Sequence, residues 1–596
     1  MRGSSPRSVL CAAAAAICLV AASAPAAERS APDGEHAAAD ATITFRGRSA
    51  SVGIGFLWGA STVEFQSRTY PVRVDGFVLG GLGTSSLEGT GRIFGLAKIE
   101  DLSGDYTALA SGAAFGQGTG TIVMRNDKGV RIVIDAKAAG FGVGIGPRGI
   151  TLSVGEVGGP PADASARLPK TLGFGEVKTG PLFLRPTLNL QMYAAASHNA
   201  GFNGRWSFGP VEKADSWLEH SNEVGLNARY PLGDYGTLQG RVSGVYSLTT
   251  SGPDGPVTNG SKDTVSKYTL ESAYLAWKSG DLFPKLGSDF IEISAGNQNY
   301  QVFDGLLFWD GGQDSTHRGA NWLSPRKAFR ETGIVRLNYK GLTVEGVHLK
   351  YNDDPDTNTR LGAGRVDYTI DDLIMKHLRV GVMYFDIYHS DTPSRDGMDG
   401  IQVYHEATPL PALPDLSYKT SFVHENNSKS SGLSEANGWY VTPAYQLSPL
   451  PWKPQLSYRY ASFSGGGTRG FDSLFTGLPE WGSWFQGELL GEYVLSNSNL
   501  NSHQVRLQLK PNEILAINLI YYKFLLNNRN QDFGLTPSRV DRSLADEVNL
   551  IFDVALTNWW SVTAACSMAN PNKGFREAVN GSSTWINGYL FMSFTF

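Results

Sequence analysis

Ile586-Asn587-Gly588-Tyr589-Leu590-Phe591-Met592-Ser593-Phe594-Thr595-Phe596 is the stretch whose reading decides the fold. Counted back in twos from Phe596, Phe594, Met592, Leu590, Gly588 and Ile586 form a continuous apolar face. Thr595, Ser593, Phe591, Tyr589 and Asn587 form the other, more polar at its two ends than in its middle. Side chains alternate across a β-strand, so this is a strand with one greasy side and a final aromatic. A stave of a membrane barrel needs both features, the apolar face for lipid and the ring for the interface.

The front of the chain reads as an export signal. Arg2 and Arg7 precede an alanine-rich apolar run over 9–22, and Ala24-Pro25-Ala26 supplies a small-x-small cleavage pattern, so 1–26 is expected to be a signal peptide. The run is shorter than the roughly 20 apolar residues of a spanning helix. Cys11 and Cys18 leave with the signal, and neither sits in a lipoprotein cleavage box. Cys566 then stands alone, which excludes an internal disulfide and a cysteine-based metal site. It alternates in phase with Val562, Ala564 and Met568, the pattern of an apolar strand-face filler. No later apolar stretch has the length of a membrane helix, yet glycine is abundant (70 residues) and aromatics make up 11%. A barrel divides its apolar residues by alternation and looks only mildly hydrophobic in bulk. The formal charge of −5 carries no polycation signature, so nucleic acid is not expected as a partner, and no cofactor is expected either.

Two β-rich regions follow. The first, 41–155, reads as a small all-β domain of short alternating runs, among them Val52–Trp58, Thr62–Phe65, Pro71–Val74, Thr121–Met124 and Val130–Ile134. Asn126-Asp127-Lys128-Gly129 between the last two predicts a hairpin turn. Gly144-Ile145-Gly146-Pro147-Arg148-Gly149 matches a dinucleotide pattern, but that pattern needs a helix after it, and Ile150–Val154 reads as a strand; a glycine-rich turn is the reading. Residues 156–178, with Gly158-Gly159-Pro160-Pro161, read as a linker. From 179 to 596 the strands lengthen and the two-residue rhythm becomes regular, as in Val224, Leu226, Ala228 and Tyr230 against Glu223, Asn227 and Arg229. Strands of about 9–11 residues suit a tilted membrane stave. Roughly 420 residues at about 22–26 per strand and connection give 16–18 staves, and an even number, eighteen, is preferred. The fold class is therefore all-β: a large antiparallel transmembrane barrel preceded by a small all-β periplasmic domain, in the outer membrane of a Gram-negative bacterium.

If the apolar faces meet lipid, the alternate residues line the lumen. On that reading Arg185, Arg229, Arg241, Arg336, Arg365, Arg379, Lys419, Arg459, Arg506 and Lys510 supply positive charge. Glu271, Glu488, Glu492, Glu547 and Asp553 supply negative charge, those from 488 onward in neighbouring C-terminal staves. Such rings of charge either select cargo or pair across strands and stiffen the wall. The long segment 308–321, carrying Asp310, Asp314 and Arg318, with Arg326 just beyond it, either folds inward as a constriction or lies outside as a solvated loop. Asp354-Pro355-Asp356-Thr357-Asn358 has oxygen ligands at calcium-loop spacing, but Thr359 replaces the turn glycine and Arg365 the final acid, so an exposed turn is expected.

Tyr458–Phe463, Phe471–Phe475, Trp481–Glu488, Tyr493–Leu500, Ile520–Phe524 and Leu544–Val548 resemble segments of the bacterial alginate export family, and Glu271–Leu275 and Trp322–Phe329 fit it and its porin relatives. The resemblance covers about 180–596 and is strongest from 455 onward. It implies an eighteen-stranded outer-membrane barrel through which an anionic exopolysaccharide leaves the periplasm by an arginine-rich pore. Arg459, Glu488, Lys523 and Glu547 fall in matching segments and are expected in the pore wall. The region before 155 lies outside the family pattern. The expected function is passive passage of an anionic saccharide, an alginate-like polymer being exported; the alternative on the same fold is a porin importing small solutes. An outer-membrane enzyme is the reading from another class: His317, His348, His389, His405 and His424 are scattered without a Ser-His-Asp grouping, and Glu488 and Glu492, if on one strand, would lie roughly 13 Å apart, wider than a glycosidase pair. Expected partners are outer-membrane lipid, barrel-assembly machinery acting on the closing strand, and periplasmic export components.

Overall fold

The computed structural model describes residues 39–596 apart from 67, 112–117, 127, 141–144, 155–175, 207–211, 214–215, 251–256, 259–263, 313–316, 373–375, 411, 428, 430–434, 466–469, 478–480, 482–485 and 531–538. The signal segment 1–26 and most of the 156–178 linker lie outside the described residues. The chain divides into two compact units, Met1–Lys170 and Thr171–Phe596.

The first unit is a six-stranded antiparallel sheet: β1 (Ala41–Phe65), β2 (Arg68–Phe94), β3 (Gly104–Ser111), β4 (Gly118–Asn126), β5 (Arg131–Gly140) and β6 (Ile145–Val154). Ile43, Val63, Val72, Ile93, Leu102, Tyr106, Ile132 and Leu152 pack its described core. The β4–β5 turn forms because Asn126 Oδ1 accepts the backbone N–H groups of Lys128 (3.1 Å) and Val130 (2.9 Å), while Gly129 takes a positive φ of 86°. Of the glycine pattern, Gly144 lies outside the described residues and 145–149 belong to a strand, not a turn. β6 is one strand that pairs with β2 on both sides of a register shift, Gly76↔Ile150 and Val78↔Ile145. The extra residues around Pro147 bulge out of the ladder, which proline cannot join as a donor.

The second unit is a closed barrel of eighteen antiparallel strands. In order they are β7 (Leu182–His198), β8 (Ser216–Pro231), β9 (Thr237–Thr250), β10 (Val265–Lys278), β11 (Ile291–Asn299) and β12 (Ala328–Tyr339). Next come β13 (Leu342–Lys350), β14 (Arg360–Asp372), β15 (Lys376–His389), β16 (Met398–Thr408), β17 (Leu416–Asn427) and β18 (Ala436–Gln446). The last are β19 (Gln455–Phe463), β20 (Leu500–Leu509), β21 (Leu515–Leu526), β22 (Ser543–Ala555), β23 (Trp560–Pro571) and β24 (Trp585–Thr595). β24 closes on β7 in register from Ile586↔His198 to Thr595↔Asn189, and Leu188 and Phe596 exchange both backbone hydrogen bonds (2.8 and 3.2 Å).

The closing strand fixes which face is which. Ile586 and Leu590 are exposed, and so are Val224 and Leu226 on β8, Val380 and Val382 on β15, and Val548, Leu550 and Phe552 on β22. The alternate positions are buried and polar: Ser221, Thr332, Gln402, Ser502, Asn549, Asn587. An apolar outer wall and a polar inner wall are the arrangement a barrel takes in lipid. Cys566 is exposed on the outer face, in phase with Met568. Connections at one end are tight, such as 340–341 and 556–559, and at the other long, notably 300–327 and 464–499. Short turns mark the periplasmic end of such barrels and long loops the extracellular end.

Leu550, midway along β22 between Leu519 and Cys566, tests the outer face. Leu550→Arg should cost about 2–4 kcal/mol, the price of a cation near the bilayer midplane, measured by denaturant unfolding in lipid vesicles. Unchanged stability would contradict the assignment of this face to lipid.

Candidate functional site: a loop-narrowed lumen

An eighteen-stranded cylinder is wide enough to hold water, but here two long loops enter it. Leu306, Leu307 and Phe308 of 300–327 and Phe471, Leu474 and Phe475 of 464–499 are buried together. The loops join at a parallel bridge, Phe308↔Phe475, and Phe308 packs at 5.6 Å from Phe475 and 5.8 Å from Phe385 of the wall. A second contact is aromatic: Trp322 of the first loop stacks on Tyr193 of β7 (4.2 Å) and meets Tyr589, Phe591 and Trp481 at 5.0, 5.4 and 6.4 Å. Tyr589 and Phe591 are the aromatic middle of the closing strand's inner face. Arg395 forms two bonds to Asp472 (2.7 and 2.8 Å) and lies over Phe475, fixing the second loop from the extracellular rim.

The sequence-derived wall charges fall into distinct groups. Glu292, Arg336, Glu345 and Arg365 stand directly opposite one another across β11 to β14. Arg336 reaches Glu345 at 2.5 Å and Glu292 at 3.3 Å, and Arg365 reaches Glu345 at 3.1 Å. Arg379 continues this ladder through Asp367 at 3.1 Å. Arg241 pairs with Glu223 at 2.6 Å, Lys419 with Glu406 at 3.8 Å, and Arg229 with Glu176 at 3.4 Å while stacking over Phe183. Arg185 and Arg241 line a cavity of about 490 Å³ that also touches Trp559 and Phe596. Arg506 donates to Asn518 Oδ1 (2.9 Å) and to the Trp481 carbonyl (3.0 Å). Arg459 and Arg506 line a separate cavity of about 490 Å³ with Lys419, Asp304, Glu406, Gln504 and Trp481.

Three expectations are corrected. Lys523 does not line the lumen: Ile520, Tyr522 and Phe524 occupy the buried phase of β21, which leaves Lys523 on the outer wall with Tyr521, paired to Asp546 at 3.7 Å. Glu488 and Glu492 are not in staves. Residues Gly487–Gly491 form a single π-helical turn of the second loop, within which Glu488 accepts from the Tyr589 hydroxyl (3.0 Å). Glu271 and Glu547 do stand on the inner wall, but buried against the loops instead of facing an open bore.

In the first loop, Asp310 pairs with Lys327 at 2.6 Å, and Arg326 is buried, donating to Ser247 Oγ (2.8 Å) and the Gly319 carbonyl (3.0 Å). Arg318 donates to the carbonyls of Asn352 and Asp353, both 3.1 Å, and to Asp354 at 3.4 Å. Asp314 lies outside the described residues. The calcium-like spacing at 354–358 is taken up by cations of the protein: Asp354 by Lys267 (2.8 Å) and Arg318, Asp356 by Arg330 and Lys350. His348, His405 and His424 bond to Tyr388, Tyr418 and Asn437 on the outer face of the wall. Sequence reasoning missed Glu219, Glu425 and the inward course of 464–499. Glu219 shares its phase with Ser221 and Glu223, which would have marked it as inner-facing.

Asp354 gives a pH test. The Lys267 hydrogen bond, opposed by partial burial and reinforced by Arg318, holds its carboxyl below the usual range. A depressed carboxylate stabilises above its unfolded value, about 4, and that contribution is lost as pH falls through the lowered folded value. Protection of the 317–320 amides, measured against their intrinsic exchange rates, should therefore be flat through neutral pH and fall only in strong acid. In Asp354→Asn the acid-induced fall should vanish; a fall centred near neutrality would contradict the role given to the Asp354 contacts.

Residues 400–587 match the family model described as alginate export. Among solved structures, Pseudomonas aeruginosa OccK5 (OpdH) is 12% identical, with 69% of this chain and 98% of that chain covered at a TM-score of 0.45. Pseudomonas aeruginosa OprD is 13% identical, with 71% and 97% covered at 0.45, and Pseudomonas putida OprB 12% identical, with 69% and 94% covered at 0.36. No curated protein sequence matches the chain. The chain is an outer-membrane β-barrel whose residues 400–587 are similar to the alginate export family.

Proposed function

We propose that the barrel is a loop-narrowed conduit for an anionic saccharide, with an alginate-like polymer leaving the cell as its cargo. The observation that carries this reading is a coincidence of place. Of the residues lining the cavity at Arg459 and Arg506, all but Asp304 and His377 fall within 400–587, the stretch similar to the export family. That cavity sets Lys419, Arg459 and Arg506 against Asp304 and Glu406, so cations outnumber carboxylates. It also offers Gln455, Ser457, Gln504, Gln508 and Thr442, the neutral donors and acceptors that sugar hydroxyls use. Guanidinium groups are suited to carboxylates because they bind them bidentately. The ladder across β11 to β14 is neutralised within itself and supports a structural role for Arg336, Arg365 and Arg379. On this reading the selective charge belongs to β17, β19 and β20. The N-terminal β unit is then a periplasmic module, and assembly machinery acts on β24.

A small-solute porin remains the second reading, favoured by the separate cavities of about 450–490 Å³ along the inner wall. Planar-bilayer recording separates the two. The conduit reading expects anion preference and current block by oligouronate, with neutral oligosaccharides of equal length blocking less. Arg459→Gln combined with Arg506→Gln should weaken that block about thirtyfold, near 1 kcal/mol per charge at partly solvated distances. Equal block by charged and neutral oligosaccharides would sink the anionic assignment.

A further inference from the structure

Four glutamates of the inner wall share a geometry that their spacing hides. Glu219 on β8 accepts the backbone N–H of Trp322 on Oε1 (3.2 Å) and of Leu323 on Oε2 (3.0 Å). Glu271 on β10 accepts those of Lys327 (2.8 Å) and Ala328 (3.0 Å) on Oε1. Glu547 on β22 accepts Leu489 on Oε1 (3.1 Å) and Leu490 on Oε2 (2.9 Å). Glu425 on β17 accepts Asp472 on Oε2 (2.9 Å). All four are buried, and every amide they hold belongs to one of the two luminal loops or its junction with the wall.

The chemistry explains why carboxylates stand here. Irregular backbone inside a barrel carries N–H groups that no ladder satisfies, and each must find an acceptor. A carboxylate accepts two adjacent amides at once, and its charge strengthens both bonds. At Glu219 and Glu547, where the two amides sit on different oxygens, a glutamine of the same shape offers one acceptor and turns an NH₂ toward the second amide. The attachment points also divide by loop: Glu219 and Glu271 hold 300–327 from β8 and β10, whereas Glu425 and Glu547 hold 464–499 from β17 and β22.

We propose that Glu219, Glu271, Glu425 and Glu547 are positioning residues that latch the two luminal loops to the wall and so set how far the conduit opens. They act on cargo only through the loops. Loosening one latch frees its own loop first, because the other loop hangs from different strands. The first loop retains further attachments, Thr249 Oγ1 accepting from Ala320 N (2.8 Å) and Ser247 donating to the Arg318 carbonyl (2.7 Å), so the barrel outlives the loss of one glutamate.

The gating half of this proposal rests on the conduit reading; the latch half does not, and two measurements on the full-length protein keep them apart. Amide hydrogen exchange in lipid nanodiscs reads the latches. Glu219→Gln should accelerate exchange at 322–323 by about ten- to a hundredfold, the weight of a lost charge-assisted pair of bonds, and leave 489–490 unchanged. Glu547→Gln should do the reverse, and Glu425→Ala, which removes the one acceptor of Asp472 N–H, should produce a smaller change confined to the second loop. Bilayer recording reads the gate: Glu219→Gln and Glu547→Gln should each raise mean conductance several-fold with added flicker. Exchange unchanged at 322–323 and 489–490 would overturn the latch. Accelerated exchange with wild-type conductance would overturn the gating role, whereas accelerated exchange in a barrel that never conducts would support the latch and overturn the conduit reading.

Discussion

In lipid, every backbone N–H and C=O must be satisfied within the protein, and for strands that demands a closed ring. The pairing of β24 with β7 meets this demand at the last open edge, from Ile586↔His198 to Thr595↔Asn189. Closure also fixes the phase of every stave, since a slip of one residue would send the whole polar face into the bilayer. The outward run of Ile586 and Leu590 and the inward run of Asn587, Tyr589 and Phe591 follow from it. A ring of eighteen strands then encloses more space than wall side chains fill. The two long loops occupy that space, and their packing at Phe308 and Phe475 is a consequence of the width that closure imposes.

The inner wall divides its charges between two tasks. Across β11 to β14 the sequence of signs is acid, base, acid, base at directly opposite positions, each contact worth roughly 0.2–1 kcal/mol, and the net field of the ladder is small. Elsewhere acids serve the loops, because a buried main-chain amide without a partner costs about 1–3 kcal/mol. Residues that look alike in sequence, Glu345 and Glu547, thus answer different needs: one balances two arginines, the other completes the hydrogen bonding of a loop. Arg459 and Arg506 share a cavity with Trp481, an inward residue of the second loop, so the cavity proposed for cargo is lined in part by the loop that narrows the lumen.

Alternation made the barrel legible. Phase is a property of each strand alone, and Arg185, Arg241, Arg336, Arg365, Arg379, Arg459 and Arg506 share it with the buried positions of their strands. Lys523 lies in a family-like segment, Ile520–Phe524, but shares the phase of Leu519 and Tyr521, which are exposed on the outer wall. Glu488 and Glu492 failed for another reason: nothing in 481–495 tells a strand from a π-helical turn held by a distant Glu547, since the partner lies on β22. The same holds for Asp354 and Asp356, whose spacing suggests calcium until Lys267, Arg318, Arg330 and Lys350 converge on them from other strands and loops. Local period is written in the chain; which loop enters the lumen is decided by contacts hundreds of residues apart.

The claim on which the account turns is that the Phe308–Phe475 junction limits passage. It is tested by placing cysteines at 308 and 475 in a Cys566→Ser background and recording single channels before and after reduction of the same sample. Residues joined by a β-bridge approach within disulfide reach, and any cost of the substitutions is common to both states. The account predicts ready cross-linking, a low and quiet conductance while oxidised, and larger, flickering openings once reduced. Quantitative cross-linking with identical conductance in the two states would contradict it, as would failure of the pair to cross-link at all.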